Sequence, residues 1–102
     1  MKPRRMKPSA RKTQLLDAAV QAAGKYGFHQ FNRDHIAEFS GTSPTLITVY
    51  FKSVNKLKNA IMREALRREH LKIIAEGIVT GDPIAKKADR VLKKKALESI
   101  GV

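Results

Sequence analysis

Residues 41–51, GTSPTLITVYF, set two threonine hydroxyls and a valine, Thr45, Thr48 and Val49, at spacings of three and four that share one face of a helix. This face offers hydroxyls and methyl groups and no formal charge. It stands in a chain with 21 Lys+Arg against 9 Asp+Glu. Side chains of this kind suit recognition of a neutral surface, with the charge for gripping a partner placed elsewhere.

Catalytic chemistry has no comparable constellation. No cysteine is present, so neither a thiolate nucleophile nor a disulfide framework is available. His29, His35 and His70 are scattered, no two histidines share a helix face as metal ligands, and no glycine-rich loop could cradle a phosphate. Glu64 and Glu69 fall among arginines and read as intrahelical ion pairs. The expectation is a protein that is not an enzyme, with no cofactor and no metal.

The net charge of +12 and a pI near 10.4 invite a polyanion, nucleic acid first and an anionic membrane surface second. Against a duplex, Thr45, Thr48 and Val49 could hydrogen-bond base edges and pack on thymine methyls in the major groove. The stretch contains no Arg, Asn or Gln, so bidentate pairs to guanine or adenine are unavailable within it and discrimination should be moderate. Asn32, Ser43, Pro44, Tyr50, Lys52 and Lys56 lie around these three residues, most of them as phosphate anchors, and Arg4 and Arg5 could add minor-groove contacts. Val49 reads equally as a buried residue, the threonines as merely solvated, and Tyr50 as a core aromatic beside Phe51.

Positioning these groups takes helices. Residues 1–12, with six basic residues and two prolines, read as a flexible arm. Helix one begins at Thr13, with Leu15, Leu16, Ala19, Val20, Ala23 and Tyr26 on its apolar face and Gly27 as its stop. Asn32 caps a short second helix ending near Ser40. Gly41 turns the chain, Ser43 caps the third helix, and Pro44 takes its first position, running to about Phe51. Ser53 caps a long basic fourth helix through Ile74, broken between Gly77 and Gly81. Asp82-Pro83 opens a fifth, whose stripe runs from Ile84 through Ala88, Val91, Leu92 and Ala96 to Ile100. No strand pattern of useful length is present.

Two short helices joined at a glycine bend, with Ala37 allowing close approach and Ile36 and Ile47 between them, predict a helix-turn-helix. The stretch from Arg11 to Leu57 resembles the N-terminal DNA-binding domain of the TetR family of transcriptional regulators. Leu15-Leu16, Ala18-Ala19, Tyr26-Gly27-Phe28, Ile36-Ala37, Gly41, Ser43, Tyr50-Phe51, Ser53 and Leu57 carry the resemblance. The chain departs from the family at Thr45-Leu46-Ile47-Thr48, where Gly-Thr-Leu-Tyr is usual, and at Val54-Asn55, where Lys-Glu is usual. The Tyr and Lys that touch phosphate in the family are thus missing, and Lys52 and Lys56 stand nearby as substitutes.

The expected architecture is an all-α bundle of about five helices: an arm at 1–12, a helix-turn-helix domain at 13–57 and a helical dimerisation extension at 58–102. Its expected function is sequence-specific binding of double-stranded DNA by a cytoplasmic homodimeric transcriptional regulator, a repressor occupying an operator. The family's longer ligand-binding domain would not fit in residues 58–102, so no small-molecule inducer is expected. No apolar stretch is long enough to cross a bilayer, and no membrane partner is expected. An RNA-binding or ribosome-associated helical protein and an accessory factor in replication or DNA transfer are the alternatives. The basic run at Lys86-Lys87 and Lys93-Lys95 could touch DNA or merely keep the fifth helix soluble, and the second reading is favoured.

Overall fold

The computed structural model describes residues 7–101. Among them, seven helices follow one another: α1 (Pro8–Tyr26), α2 (Arg33–Ser40), α3 (Pro44–Phe51), α4 (Val54–Arg68), α5 (Leu71–Thr80), α6 (Pro83–Lys86) and α7 (Arg90–Ser99). Arg4 and Arg5, with the first half of the arm at 1–12, lie outside the described residues.

Helix α1 starts at Pro8, five residues earlier than the apolar pattern predicts. Residues 8–12 therefore belong to a helix and not to the arm. Proline at the first helical position lacks only an amide that has no partner there anyway. Once the buried segment from Leu15 onward has nucleated the helix, adding a preceding turn costs little even without apolar residues. The Thr13 hydroxyl, bonded to the Ser9 carbonyl at 3.0 Å, lies across this turn.

The predicted fourth helix is two helices. It ends at Arg68, Glu69 takes a left-handed conformation (φ 55°), and the His70 side chain accepts from the Ile73 amide to start α5. The reason is phase. Continuing the face defined by Leu57, Ile61 and Ala65 would bury Arg68, Lys72 and Glu76 and rotate Ile73 and Ile74 away from the core. Breaking the helix resets the register, and Ile73 and Ile74 are fully buried. Gly77, expected to break the chain, lies inside α5 as a close-packing position: a Cβ there would come within 2.8 Å of the Ala85 Cβ.

The predicted fifth helix is also divided. Asp82 caps α6 through the Ala85 amide at 2.9 Å, and Asp89 caps α7 through the Val91 and Leu92 amides at 3.0 and 3.3 Å. The apolar stripe of the predicted fifth helix is mostly used within the chain, since α7 packs on α5 and Ala96 is fully buried. Val91 and Ile100 remain exposed.

Phe28, Leu15, Ile36, Ile47, Ile61, Met62, Ile73 and Ile74 are the largest fully buried side chains, and they join all the longer helices in one core. The body measures 50 × 22 × 20 Å. Its beam is α4, whose Leu57 joins the core near α3 while Met62, further along, reaches the α5–α6 junction at Gly77. Arg68 links α4 to α1 through Asp17 at 2.9 Å, and within α4 it also bonds Glu64 at 2.6 Å. Those hydrogen bonds, Arg67's first and Arg68's next, hold the Glu64 carboxyl down at about 2.

Candidate nucleic-acid interface

The interface is built on the angle between α2 and α3. The Asn32 side chain accepts from the His35 amide at 3.0 Å while the Asn32 amide donates to His35 Nδ1 at 3.1 Å, so both free amides at the start of α2 are satisfied reciprocally. The His35 ring also stacks on Tyr26, centroids 3.6 Å apart and nearly parallel, which locks the start of α2 to the end of α1. Gly41 ends α2 at φ 70°, a conformation in which a side chain would be strained. Ser43 then accepts from the Leu46 amide at 3.4 Å, and Pro44 occupies the first position of α3. Ile36 and Ile47 are both fully exempt from solvent and fix the crossing of the two helices.

This packing decides which face of α3 is outward. Thr45, Thr48 and Val49 are exposed, Val49 to 55%, so burial is not its role. Pro44 and Tyr50 are half-buried, Tyr50 resting against the core. Asn32, Ser43, Lys52 and Lys56 are exposed. The caps use acceptor atoms of Asn32 and Ser43, and each keeps a hydrogen-bond donor, the amide NH2 and the hydroxyl hydrogen, for an anionic oxygen.

Arg33 is the residue that sequence reasoning missed. It opens α2, is exposed, and its guanidinium donates to the Thr48 hydroxyl on α3. A planar group with five donors is thereby held beside a helix that has no such donor of its own. No spacing along the chain marked it, because the contact joins two different helices. Arg33, Thr48, Phe51, Lys52, Val54 and Leu57 line a half-open cleft of about 230 Å³, apolar at its floor and basic at its rim.

Lys52 has an unusual backbone. At φ 64° and ψ −52° it centres a three-residue γ-turn in which the Ser53 amide donates to the Phe51 carbonyl at 2.6 Å. Side-chain-bearing residues rarely hold this conformation, which costs of order 1–3 kcal/mol. The turn lets α4 start immediately, with Ser53 accepting from the Lys56 amide at 3.1 Å. Both α3 and α4 begin without an acidic residue in the first turn, so their positive N-terminal ends are not internally neutralised. Among the described residues no group of three or more His, Cys, Asp or Glu could hold a metal ion, and no helix is long and apolar enough to cross a membrane.

Exposed neutral groups on one short helix, fixed by a second and ringed by cations, define a helix-turn-helix DNA-binding domain. Known proteins agree. The chain is 38% identical over 58 residues, 57% of its length, to the HTH-type transcriptional regulator RutR of Escherichia coli K12. It is 38% identical over 56 residues to the HTH-type transcriptional regulator BetI of Escherichia coli O139:H28. The matched stretches span 27% and 29% of those two relatives, so the chain corresponds to little more than a quarter of either. No family model and no solved structure matches. The resemblance to the TetR-type DNA-binding domain thus stands on sequence, and the fold is an all-α helix-turn-helix bundle, with seven helices among the described residues where about five were expected.

Proposed function

We propose that the chain is a sequence-specific transcriptional regulator that binds double-stranded DNA as a homodimer and represses by occupying an operator. In this reading α3 lies in the major groove, with Thr45, Thr48 and Val49 at base edges. Asn32, Ser43, Tyr50, Lys52 and Lys56 hold phosphates, with Arg4 and Arg5 beyond them. The observation that carries the reading is the exposed, uncharged face of α3 inside a rim of cations.

RNA is the less fitting partner, because single-strand readers stack bases on exposed aromatic rings. All six aromatic residues here are buried or half-buried. Pairing of two copies draws on Val79 of α5, which stays 62% exposed after the α7 stripe has closed on its own fold. Footprinting on genomic fragments tests the proposal. The expected result is a discrete protected site with two related halves about 34 Å apart, one DNA turn, or a multiple of it. Uniform coating of all fragments at every protein concentration would overturn it.

A further inference from the structure

We propose that the end of the molecule formed by α6 and α7 is a second DNA-binding surface, which takes the phosphate backbone of a separate duplex segment without reading its sequence. The proposal rests on the reading that α3 binds the first duplex. Lys86, Lys87, Arg90, Lys94 and Lys95 are all exposed. Among the described residues none of these five takes part in an ion pair; the pairs that form involve Lys25, Arg67 and Arg68.

The acids of this segment, residues 82–101, offset only half of the charge, three Asp+Glu against six Lys+Arg. Asp82 and Asp89 turn their carboxylates onto the first amides of α6 and α7. Asp89 also begins α7 in such a way that Arg90 and Lys94 stand one turn apart, about 6 Å, on one exposed side. A solvated face that served only to keep a helix in water would not need this excess.

Two observations select the partner. A membrane surface would need bulky apolar residues on the same exposed side, but Val91 and Ile100 are nine residues apart, half a revolution around a helix, while Leu92 packs against the core. Phosphates of a duplex need only cations. As for geometry, α7 packs on α5 and lies beside Leu66 and Glu69 at the far end of α4, whereas α3 meets that helix at its start. With about 1.5 Å of rise per residue, Leu57 and Leu66 are some 14 Å apart along α4 before the helices at either end are counted. In a body 50 Å long, the two basic surfaces are therefore suited to two duplexes and not to adjacent phosphates of one.

The test mixes full-length protein with donor-labelled and acceptor-labelled duplexes of random sequence, about 30 base pairs each, long enough for several phosphate contacts. Energy transfer reports joining, and anisotropy reports binding to a single duplex. Wild type is expected to join duplexes, and joining should weaken several hundredfold between 50 and 200 mM salt, about 0.9 in log–log slope for each of five engaged cations. The variant Lys86→Gln/Lys87→Gln/Lys94→Gln/Lys95→Gln should keep its helical circular dichroism and single-duplex binding and lose joining. Lys93 is left in place because its ammonium donates to the Lys86 carbonyl at 2.9 Å.

Undiminished joining by this variant would overturn the proposal, since two recognition domains of a dimer would then be responsible. Single-duplex binding by wild type with no joining at any protein-to-DNA ratio would overturn it as well. Lys52→Glu/Lys56→Glu separates the two readings. If it leaves binding untouched while the α6–α7 variant abolishes it, the DNA-binding role of α6–α7 stands and the assignment of α3 falls.

Discussion

Replacing Lys52 separates backbone strain from charge. Its γ-turn geometry, φ 64° and ψ −52°, is one that glycine adopts readily and lysine does not. Lys52→Gly should recover the order of 1–3 kcal/mol stored there, less about 1 kcal/mol for the greater freedom of glycine in the unfolded chain. The net expectation is no loss of stability and a gain of up to about 2 kcal/mol, which in a domain of this size raises the melting temperature by several degrees. Lys52→Ala keeps the strain and removes the same ammonium, so it should leave stability near wild type. Both variants should lose affinity for DNA and flatten the salt dependence by about 0.9 in log–log slope, because each removes one phosphate contact. Urea titrations of the three proteins give the stabilities, and fluorescence anisotropy at four salt concentrations gives the slopes. Equal destabilisation by Gly and Ala would show that the turn stores no strain, and an unchanged slope would show that Lys52 does not touch phosphate.

Other changes probe the remaining parts. Thr48→Ala and Val49→Ala should weaken operator binding more than random-DNA binding, toward the low end of about 1–3 kcal/mol at one position, and equal losses on both DNAs would remove them from base readout. Deleting residues 1–6 takes away Lys2, Arg4 and Arg5 and leaves α1 starting at Pro8; the salt slope should fall by up to about 2.7 with circular dichroism unchanged, and an unchanged slope would mean an idle tail. Glu64 is held at about 2 against 4.5 unfolded, so its contribution is full above pH 4.5 and is lost as pH falls through about 2. Because Arg67 is 71% exposed, solvent screens the pair and we expect only a small loss of stability in Glu64→Gln at pH 6, one that vanishes near pH 2. Gly77→Ala should destabilise by about 1–3 kcal/mol in thermal unfolding, since the new methyl meets Ala85.

The helix-turn-helix half of the fold was legible because its signals are local. Asn32, Gly41, Ser43 and Pro44 each act within three residues of themselves, and all four mark the boundaries they were read to mark. The extension was less legible because its apolar residues fit two registers. Ile73 and Ile74 look like a continuation of Leu57 and Ile61 until the phase is counted, and Asp89 looks like a surface acid within a stripe until its carboxylate is seen on two amides. The outward face of α3 followed from the pattern of Ile47 and Phe51. The reach of Arg33 did not, because it crosses from one helix to another and no spacing along the chain encodes it.

Among the described residues, six of the seven helices begin with a side chain that accepts from an amide two or three residues ahead: Asn32, Ser43, Ser53, His70, Asp82 and Asp89. Each boundary is thus specified before any distant part of the chain arrives. Helical domains organised this way need little loop closure before their contacts begin to stabilise them, and they fold within microseconds to milliseconds. Stretches such as NRDH and SPTL carry their caps into the unfolded ensemble, where they bias the chain toward the right start points. Assembly is then a matter of docking helices whose ends are already decided, and with no strand among the described residues to present an unpaired edge, the partly folded chain offers few templates for aggregation.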